Sequence, residues 1–149
     1  MSEESVDFFR VLPEYIDRIW PKVEPFLKKG VDASRGRFDM PSLYREITTG
    51  AQHLWIFVKD DDEVVAAMTT QFVYYPLRVN LCVPFIGSDD ESIGKDDWRR
   101  MMLKLIEWAK LYGCSAVEAL GRRGWTRVFR DIGFEESFVN IEREVSDGK

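Results

Sequence analysis

Histidine is almost missing from this chain, and cysteine nearly so. His53 is the one imidazole among 149 residues, and Cys82 and Cys114 are the two thiols. A histidine-rich metal centre is thereby excluded, and a catalytic triad would have to use His53 itself. The cysteines sit in apolar segments and read as buried thiols of a reducing compartment, not as a disulfide scaffold or a metal site. Excess positive charge is lacking too: 26 acids stand against 21 Lys and Arg, a formal net charge of −5. Nucleic acid, whose phosphates select basic surfaces, is therefore not an expected partner. No apolar run is long enough to span a bilayer, so no membrane is expected either. The opening MSEESVDFF is acidic and polar, without a signal-peptide pattern, which predicts a cytoplasmic protein. Repeats and low-complexity segments are absent.

What is present suits one packed domain over 1–149, with a tail from about 146: hydrophobic residues make up 45% and aromatics 13%. VDFFRVL (6–12) reads as a first strand. Pro13 then opens a stretch with Ile16, Ile19, Trp20, Val23, Phe26 and Leu27 at helical spacing, ending near Gly30. Pro21 and Pro25 inside it predict a kink or two short helices. Asp39 is placed to cap a second helix that Gly50 stops. HLWIFV and VVAAMTTQFVYY form a hairpin about the turn KDDDE, which lacks the ligand spacing of a calcium loop. In LRVNLCVPF, the residues Leu77, Val79, Leu81, Val83 and Phe85 alternate, which predicts one shared face. After the acidic loop comes a helix whose inner face is Trp98, Met101, Met102, Leu105, Trp108, Ala109 and Tyr112. SAVEAL is a strand, GWTRVFRDIG a short helix and FEESFVNIEREV a final strand. The order is β-α-α-β-β-β-α-β-α-β. It predicts a mixed α/β (α+β) sheet, with an antiparallel meander and one parallel pair across the long helix.

This order, with the segment GCSAVEALGRRGWTRVFRDIGF (113–134), resembles the GNAT superfamily of acyl-CoA-dependent N-acyltransferases. LCVPF resembles the central strand of that family, EWAKLYGCSAVEAL the helix and strand that follow, and the ending DIGF its late helix. The GR-x-GW segment is also similar to small GNAT-like proteins of tailed phages, which would place the chain in a host cytoplasm. The resemblance implies that acetyl-CoA or another acyl-CoA lies in a V-shaped gap between LRVNLCVPF and SAVEAL. Its pantetheine arm would follow the backbone at Leu81, Val83 and Phe85. Its pyrophosphate would sit at the loop holding Gly87, Gly94 and Lys95. Tyr44 and Glu46, on the second helix, would wall the acceptor. Glu118 would serve as a base through water, and the attacking amine would belong to a small molecule or a protein.

Four features depart from the family pattern. The loop FIGSDDESIGKDDW lacks the family's R/Q-x-x-G-x-G/A and carries Asp89, Asp90 and Glu91 in a row, which repel a diphosphate. Those acids, with Ser92 or Asp96 as cap, suit a helix N-terminus better. The family's proton-donating tyrosine falls on Phe129, which has no proton to give, and its asparagine falls on Arg122. Pro84 has no N–H for a pantetheine amide. Arg122 and Arg123 either supply the phosphate charge that the loop lacks or form a solvated pair. His53 beside a strand reads as structural, and SRGRF (34–38) as a connector.

Two functions therefore stay open. One is an N-acyltransferase. The other is a non-catalytic GNAT-like binding or assembly module that has lost CoA binding. Such a module would meet a protein partner through aromatics among Trp55, Phe72, Tyr74, Tyr75 and Trp125. The state is monomer or homodimer in either case. An open gap favours the enzyme; a gap filled by Phe85, Trp98 or Trp125 favours the module.

Overall fold

A computed structural model describes residues 6–89, 93–121 and 124–146, with the backbone alone at Asp61. Strand β1 (Asp7–Arg10) leads through a 3-10 turn at Pro13–Tyr15 into α1 (Ile16–Asp32). Two short helices do not form: α1 runs without interruption through Pro21 and Pro25. Pro21 and Pro25 are exposed and four residues apart, so water can take up the carbonyls they leave unpaired. On the opposite stripe, buried Ile16, Val23, Leu27 and Val31 hold the helix to the sheet. Helix α2 (Met40–Thr48) starts at Asp39 as expected. The Asp39 carboxylate accepts from the Ser42 N–H (2.8 Å), and the Ser42 hydroxyl accepts from the Asp39 N–H (3.0 Å).

Strands β2 (His53–Lys59), β3 (Glu63–Tyr75), β4 (Arg78–Val83) and β5 (Ile86–Ser88) make the antiparallel part of the sheet. Helix α3 (Lys95–Leu111) then crosses over to β6 (Ala116–Ala119), which pairs parallel to β4. The strand order is β1-β2-β3-β4-β6. Helix α4 (Gly124–Phe129) and a 3-10 turn at Arg130–Ile132 follow. The mixed sheet predicted from the element order is thus present. Among the described residues no helix is long and apolar enough to cross a membrane.

Two cores lie on the two faces. Phe8, Trp55, Phe57, Met68, Leu81 and Val83 meet α3 and α4 residues including Trp98, Met101, Leu105 and Phe129. On the other face Leu54, Ala67 and Phe85 meet Val23, Leu27, Leu43 and Ile47 of α1 and α2. Phe85 therefore lies opposite to Leu81 and Val83, against the alternation read from LRVNLCVPF. The cause is a bulge. Gln71 opposes Cys82 and Met68 opposes Ile86, so three residues on the β4–β5 side face two on β3, and the side-chain parity inverts. Leu77 is in the β3–β4 turn and is exposed, not part of either face.

The final strand is the other difference. Residues 134–146 form neither helix nor strand, although FEESFVNIEREV has strand composition.

Gly87 in β5 is held to glycine by packing. A Cβ there would stand 2.0 Å from the Phe26 carbonyl oxygen of α1. Gly87→Ala is expected to cost about 1–3 kcal/mol, because backbone and not a pliable side chain must move. Urea denaturation of the variant checks it.

Candidate active site

The bulge also marks where the pairing of β4 with β6 ends. The last contact between the parallel strands is Leu120 N–H donating to Val83 C=O (3.2 Å). Beyond it Pro84 ends the β4–β6 pairing and the chain stays with β3 alone, in β5. Thr69 N–H donates to Phe85 C=O (2.9 Å), and Asp89 N–H donates to Val65 C=O (3.0 Å). Residues 85, 87 and 89 therefore face β3. The alternation of an antiparallel ladder turns the N–H and C=O groups of Ile86 and Ser88 away from β3, to the side on which β6 pairs with β4 before it ends at Ala119. The sequence motif placed the ligand on Leu81, Val83 and Phe85. In the structure all three side chains are buried, Leu81 lies between the paired strands β3 and β6, and the Val83 and Phe85 carbonyls already accept from Leu120 and Thr69.

Gly94 is the N-cap of α3 and brings no capping side chain. The expected cap from Asp96 is not formed; the Asp97 carboxylate instead reaches back to the Gly94 N–H (3.1 Å). The acids of this turn are paired. Asp97 accepts from Arg100 (2.9 Å), and Asp96 lies 3.5 Å from Arg99, which also pairs with Asp131. Their repulsion toward an anion is correspondingly reduced. Lys95 is exposed at the first position of α3. Asp90, Glu91 and Ser92 lie outside the described residues, as do Arg122 and Arg123.

Glu118 on β6 belongs to a polar cluster. Its Oε2 accepts from the Tyr75 hydroxyl (2.7 Å) and from Asn80 Nδ2 (2.6 Å). Asn80 Oδ1 in turn accepts from Arg78 Nε (3.0 Å). Strand register explains the meeting. Tyr75 opposes Arg78, and Cys82 opposes Glu118, so the alternate residues Arg78, Asn80 and Cys82 share a face with both. This face is the one that carries α1 and α2 further along the sheet. The hydrogen bond to Glu118 raises the Tyr75 phenol above its ordinary pKa, so it stays a donor. Burial, and then the Glu118 charge, push the Cys82 thiol up to about 11, which keeps it neutral. The sequence reading found Glu118 and missed Tyr75 and Asn80. Asn80 lies on the polar phase of the alternation in LRVNLCVPF, with Arg78, whereas Tyr75 ends the preceding strand and carries no such signal.

Tyr44 and Glu46 are not brought to this cluster. The Tyr44 hydroxyl donates to Asp17, and Glu46 Oε1 accepts from Gln52 Nε2 (3.0 Å). Their helix packs Leu43 and Ile47 in one cluster with Leu54 of β2, on the other half of the sheet. Phe129 is buried in the α3–α4 core, stacked on Trp125 (5.4 Å between centroids) and against Phe134 (5.6 Å). Trp98 joins the same column, between Phe57 (5.1 Å) and Trp125 (4.9 Å). Trp125 is half-buried and leans on Gly121, where a Cβ would come within 2.9 Å of its ring. Of the candidate partner aromatics, Trp55 is buried and Phe72 packs on the core, whereas Tyr74 and Tyr75 are exposed.

Two surface cavities lie elsewhere. One of about 430 Å³ is bordered by Val6, Phe8, Arg100 and Lys104, and one of about 250 Å³ by Arg10, Thr49, Gln52 and His53. The larger one touches the start of α3 through Asp97 and Arg100, and neither is lined by Ile86, Ser88 or Glu118. Among the described residues no cluster of potential ligands could hold a metal ion.

His53 is structural. Its ring packs edge-on against Phe72 (5.1 Å) and Trp108 (5.3 Å), and Nδ1 lies 2.9 Å from the Thr70 hydroxyl. Burial first, then the charge of Arg10, lower its pKa from 6.5 to about 4, against a smaller opposing effect of Thr70. Between those values the unfolded chain takes a proton that the folded chain refuses. The contribution of His53 to stability is therefore complete above about pH 6.5 and is lost as the pH falls toward 4. His53→Gln is expected to flatten that part of the pH–stability curve, read from urea midpoints at neutral and acid pH.

Comparison with protein-family models found no match, and comparison with curated proteins found none. Solved structures do match. A predicted acetyltransferase of Clostridium acetobutylicum, solved with acetyl-CoA, superposes with a TM-score of 0.68 at 13% identity, covering 94% of this chain and 96% of that one. An aminoglycoside acetyltransferase from an uncultured soil metagenomic sample, in complex with trehalose, gives 0.71 at 9% identity, covering 95% and 97%. An acetyltransferase of Trypanosoma brucei gives 0.66 at 8% identity, covering 95% and 100%. The chain has the GNAT-like fold of these acetyltransferases over nearly its whole length. At such identities the likeness speaks for the fold alone, and the activity has to be argued from the site.

Proposed function

We propose that this protein is an N-acyltransferase, moving an acetyl or other acyl group from acyl-CoA to an amine. The carrying observation is the parting of β4–β5 from β6 after Val83 and Leu120, which leaves the outward N–H and C=O groups of Ile86 and Ser88 beside the gap. Such a backbone edge can pair with the amides of a pantetheine arm as a strand would. It also takes over from Pro84, whose missing N–H the sequence reading counted against binding. The open amides at the start of α3 are suited to the pyrophosphate, with Lys95 and the Arg122–Arg123 pair supplying charge.

In this reading the amine nitrogen attacks the thioester carbonyl carbon directly. The C–N bond forms, and the carbonyl oxygen gains charge that an N–H near Ile86 stabilises. The C–S bond then breaks and the thiolate takes a proton from water, since Phe129 is apolar and buried. The amine proton leaves through water to Glu118, which Tyr75 and Asn80 hold in place. Direct binding of acetyl-CoA, measured by calorimetry at low and moderate salt with Arg122→Ala and Arg123→Ala alongside, is the test. Micromolar binding weakened in an arginine variant is the expected result. No heat up to millimolar acetyl-CoA would sink the proposal.

A second reading, a GNAT-like module without catalysis, is favoured by one feature: Trp125 packs against the chain as it leaves β6, at Gly121. Absence of acetyl-CoA binding would leave that reading standing.

A further inference from the structure

We infer that the cavity at the end of β1 is a binding site for a free α-amino acid with an aliphatic side chain, separate from the acyl-transfer site. The cavity has a volume of about 250 Å³. At about 30 Å³ per water-sized group it takes a molecule the size of valine or leucine. It lies where β1 gives way to the first turn before α1, beside the end of α2 and the start of β2.

Its wall carries an acceptor without a donor. Gln52 is 1% exposed, and its Oε1 has no hydrogen-bond partner among the described residues. A buried amide oxygen left unpaired is rare and costly. Turning the amide over does not cure it. Nε2 donates to Glu46 Oε1 (3.0 Å), and the Gln52 N–H donates to the Glu46 carbonyl (3.0 Å). A flip would set the amide oxygen against the Glu46 carboxylate. Further acceptors stand beside Gln52. The hydroxyls of Thr48 and Thr49 donate to the Arg45 carbonyl (3.1 and 2.8 Å), which leaves their oxygen lone pairs to accept. The C-terminal end of α2, followed by Gly50 at a φ of 87°, adds partial negative charge. An ammonium group, with its three N–H donors, suits this wall.

Arg10 sets the second requirement. Its guanidinium rests over the Trp108 ring at 5.9 Å, and among the described residues no acid pairs with it. His53 also borders the cavity and stays neutral down to about pH 4, so Arg10 carries the one full charge of the lining. A carboxylate meets such a group as a forked, charge-assisted pair. The rest of the lining is largely apolar, with Val11, Ile16, Ile47 and Leu54. One small molecule answers all three parts: a carboxylate for Arg10, an ammonium for Gln52 and the end of α2, and an aliphatic side chain for the apolar wall. A carboxylic acid without the ammonium leaves Gln52 unpaired, and an amine without the carboxylate is repelled by Arg10.

The bound ammonium is not the nucleophile of the proposed reaction, because Ile86, Ser88 and Glu118 do not border this cavity. The amino acid is a ligand held at the junction of β1, α1 and α2. The inference therefore stands whether or not the chain transfers acyl groups.

The test is titration of the isotope-labelled full chain with L-leucine into the millimolar range, followed by amide NMR. Two cut-down ligands run alongside: 4-methylpentanoate, which lacks the ammonium, and 3-methylbutylamine, which lacks the carboxylate. Leucine is expected to shift the amides of residues 10–11, 48–50 and 52–54 and to leave 86–88 in place. Either cut-down ligand is expected to bind about tenfold more weakly or worse. Arg10→Gln falls on an exposed side chain and leaves both cores untouched. It is expected to weaken leucine by about tenfold or more, as is Gln52→Met, which removes the unpaired oxygen. Absence of any shift with aliphatic amino acids overturns the inference. So does binding that 4-methylpentanoate matches, or that Arg10→Gln leaves unchanged. Acetyl-CoA added to the same sample reports on the acyl-transfer reading separately, at other amides.

Discussion

Phe129→Ala is expected to destabilise the fold by about 3–5 kcal/mol, the range for emptying a buried phenyl site. The side chain is buried among Trp125, Phe134 and the α3–sheet core, where α4 packs on the rest of the molecule. Loss of the ring removes its dispersion contacts, and the stacked Trp125 ring cannot fill the space without leaving Trp98. Denaturant unfolding, with tryptophan emission as the signal, measures it. Phe129→Tyr separates structure from chemistry. It restores the hydroxyl that related proton donors carry, but at a site where the hydroxyl has no water. We expect a stability loss of about 1–3 kcal/mol from the unpaired group and no gain in acetyl transfer. A faster enzyme of unchanged stability would show that position 129 opens to the ligand.

Glu118→Gln carries the largest expected effect on activity. A fall in kcat of about 10²–10⁴-fold, with acetyl-CoA binding retained, is expected if the carboxylate takes the amine proton through water. The amide keeps the shape and can still accept from Tyr75 and Asn80, so the sheet should hold. Tyr75→Phe removes one of the two donors that orient the carboxylate and is expected to cost about tenfold. The stability of both variants decides between roles. Intact activity with a lowered unfolding midpoint would make Glu118 a sheet tie and move the base elsewhere. Steady-state kinetics on an amine acceptor, once one is found, reads the first outcome, and calorimetric titration of acetyl-CoA guards against loss of binding.

How far the sequence could be read depended on whether a feature was local. The periodicities of α1, α3 and the strands, the Asp39 cap and the helix stops at Gly50 and Gly113 are set by residues within one or two turns of each other. The order of those elements then restricts the sheet to few topologies, because short connections force antiparallel neighbours and a helical crossover forces a parallel pair. A single histidine, two cysteines and a net negative charge are likewise legible from composition alone, and they argue against a histidine-rich metal centre, a disulfide scaffold and nucleic acid as the main partner.

What lay beyond the sequence were consequences of contact between distant segments. The inversion of Phe85 follows from a bulge that exists only against β3, since one extra residue has meaning only relative to a partner strand. The survival of α1 across two prolines was decided by an apolar stripe with a sheet to pack on, which outweighs local propensity. Glu118 was visible as a carboxylate in a strand, yet its partners Tyr75 and Asn80 come from 43 and 38 residues away and needed the register of β3, β4 and β6 to meet it. The segment 134–146 shows the limit most plainly. Its strand composition is written in its own residues, but a strand exists only in pairing with another, and that pairing is decided by the tertiary fold.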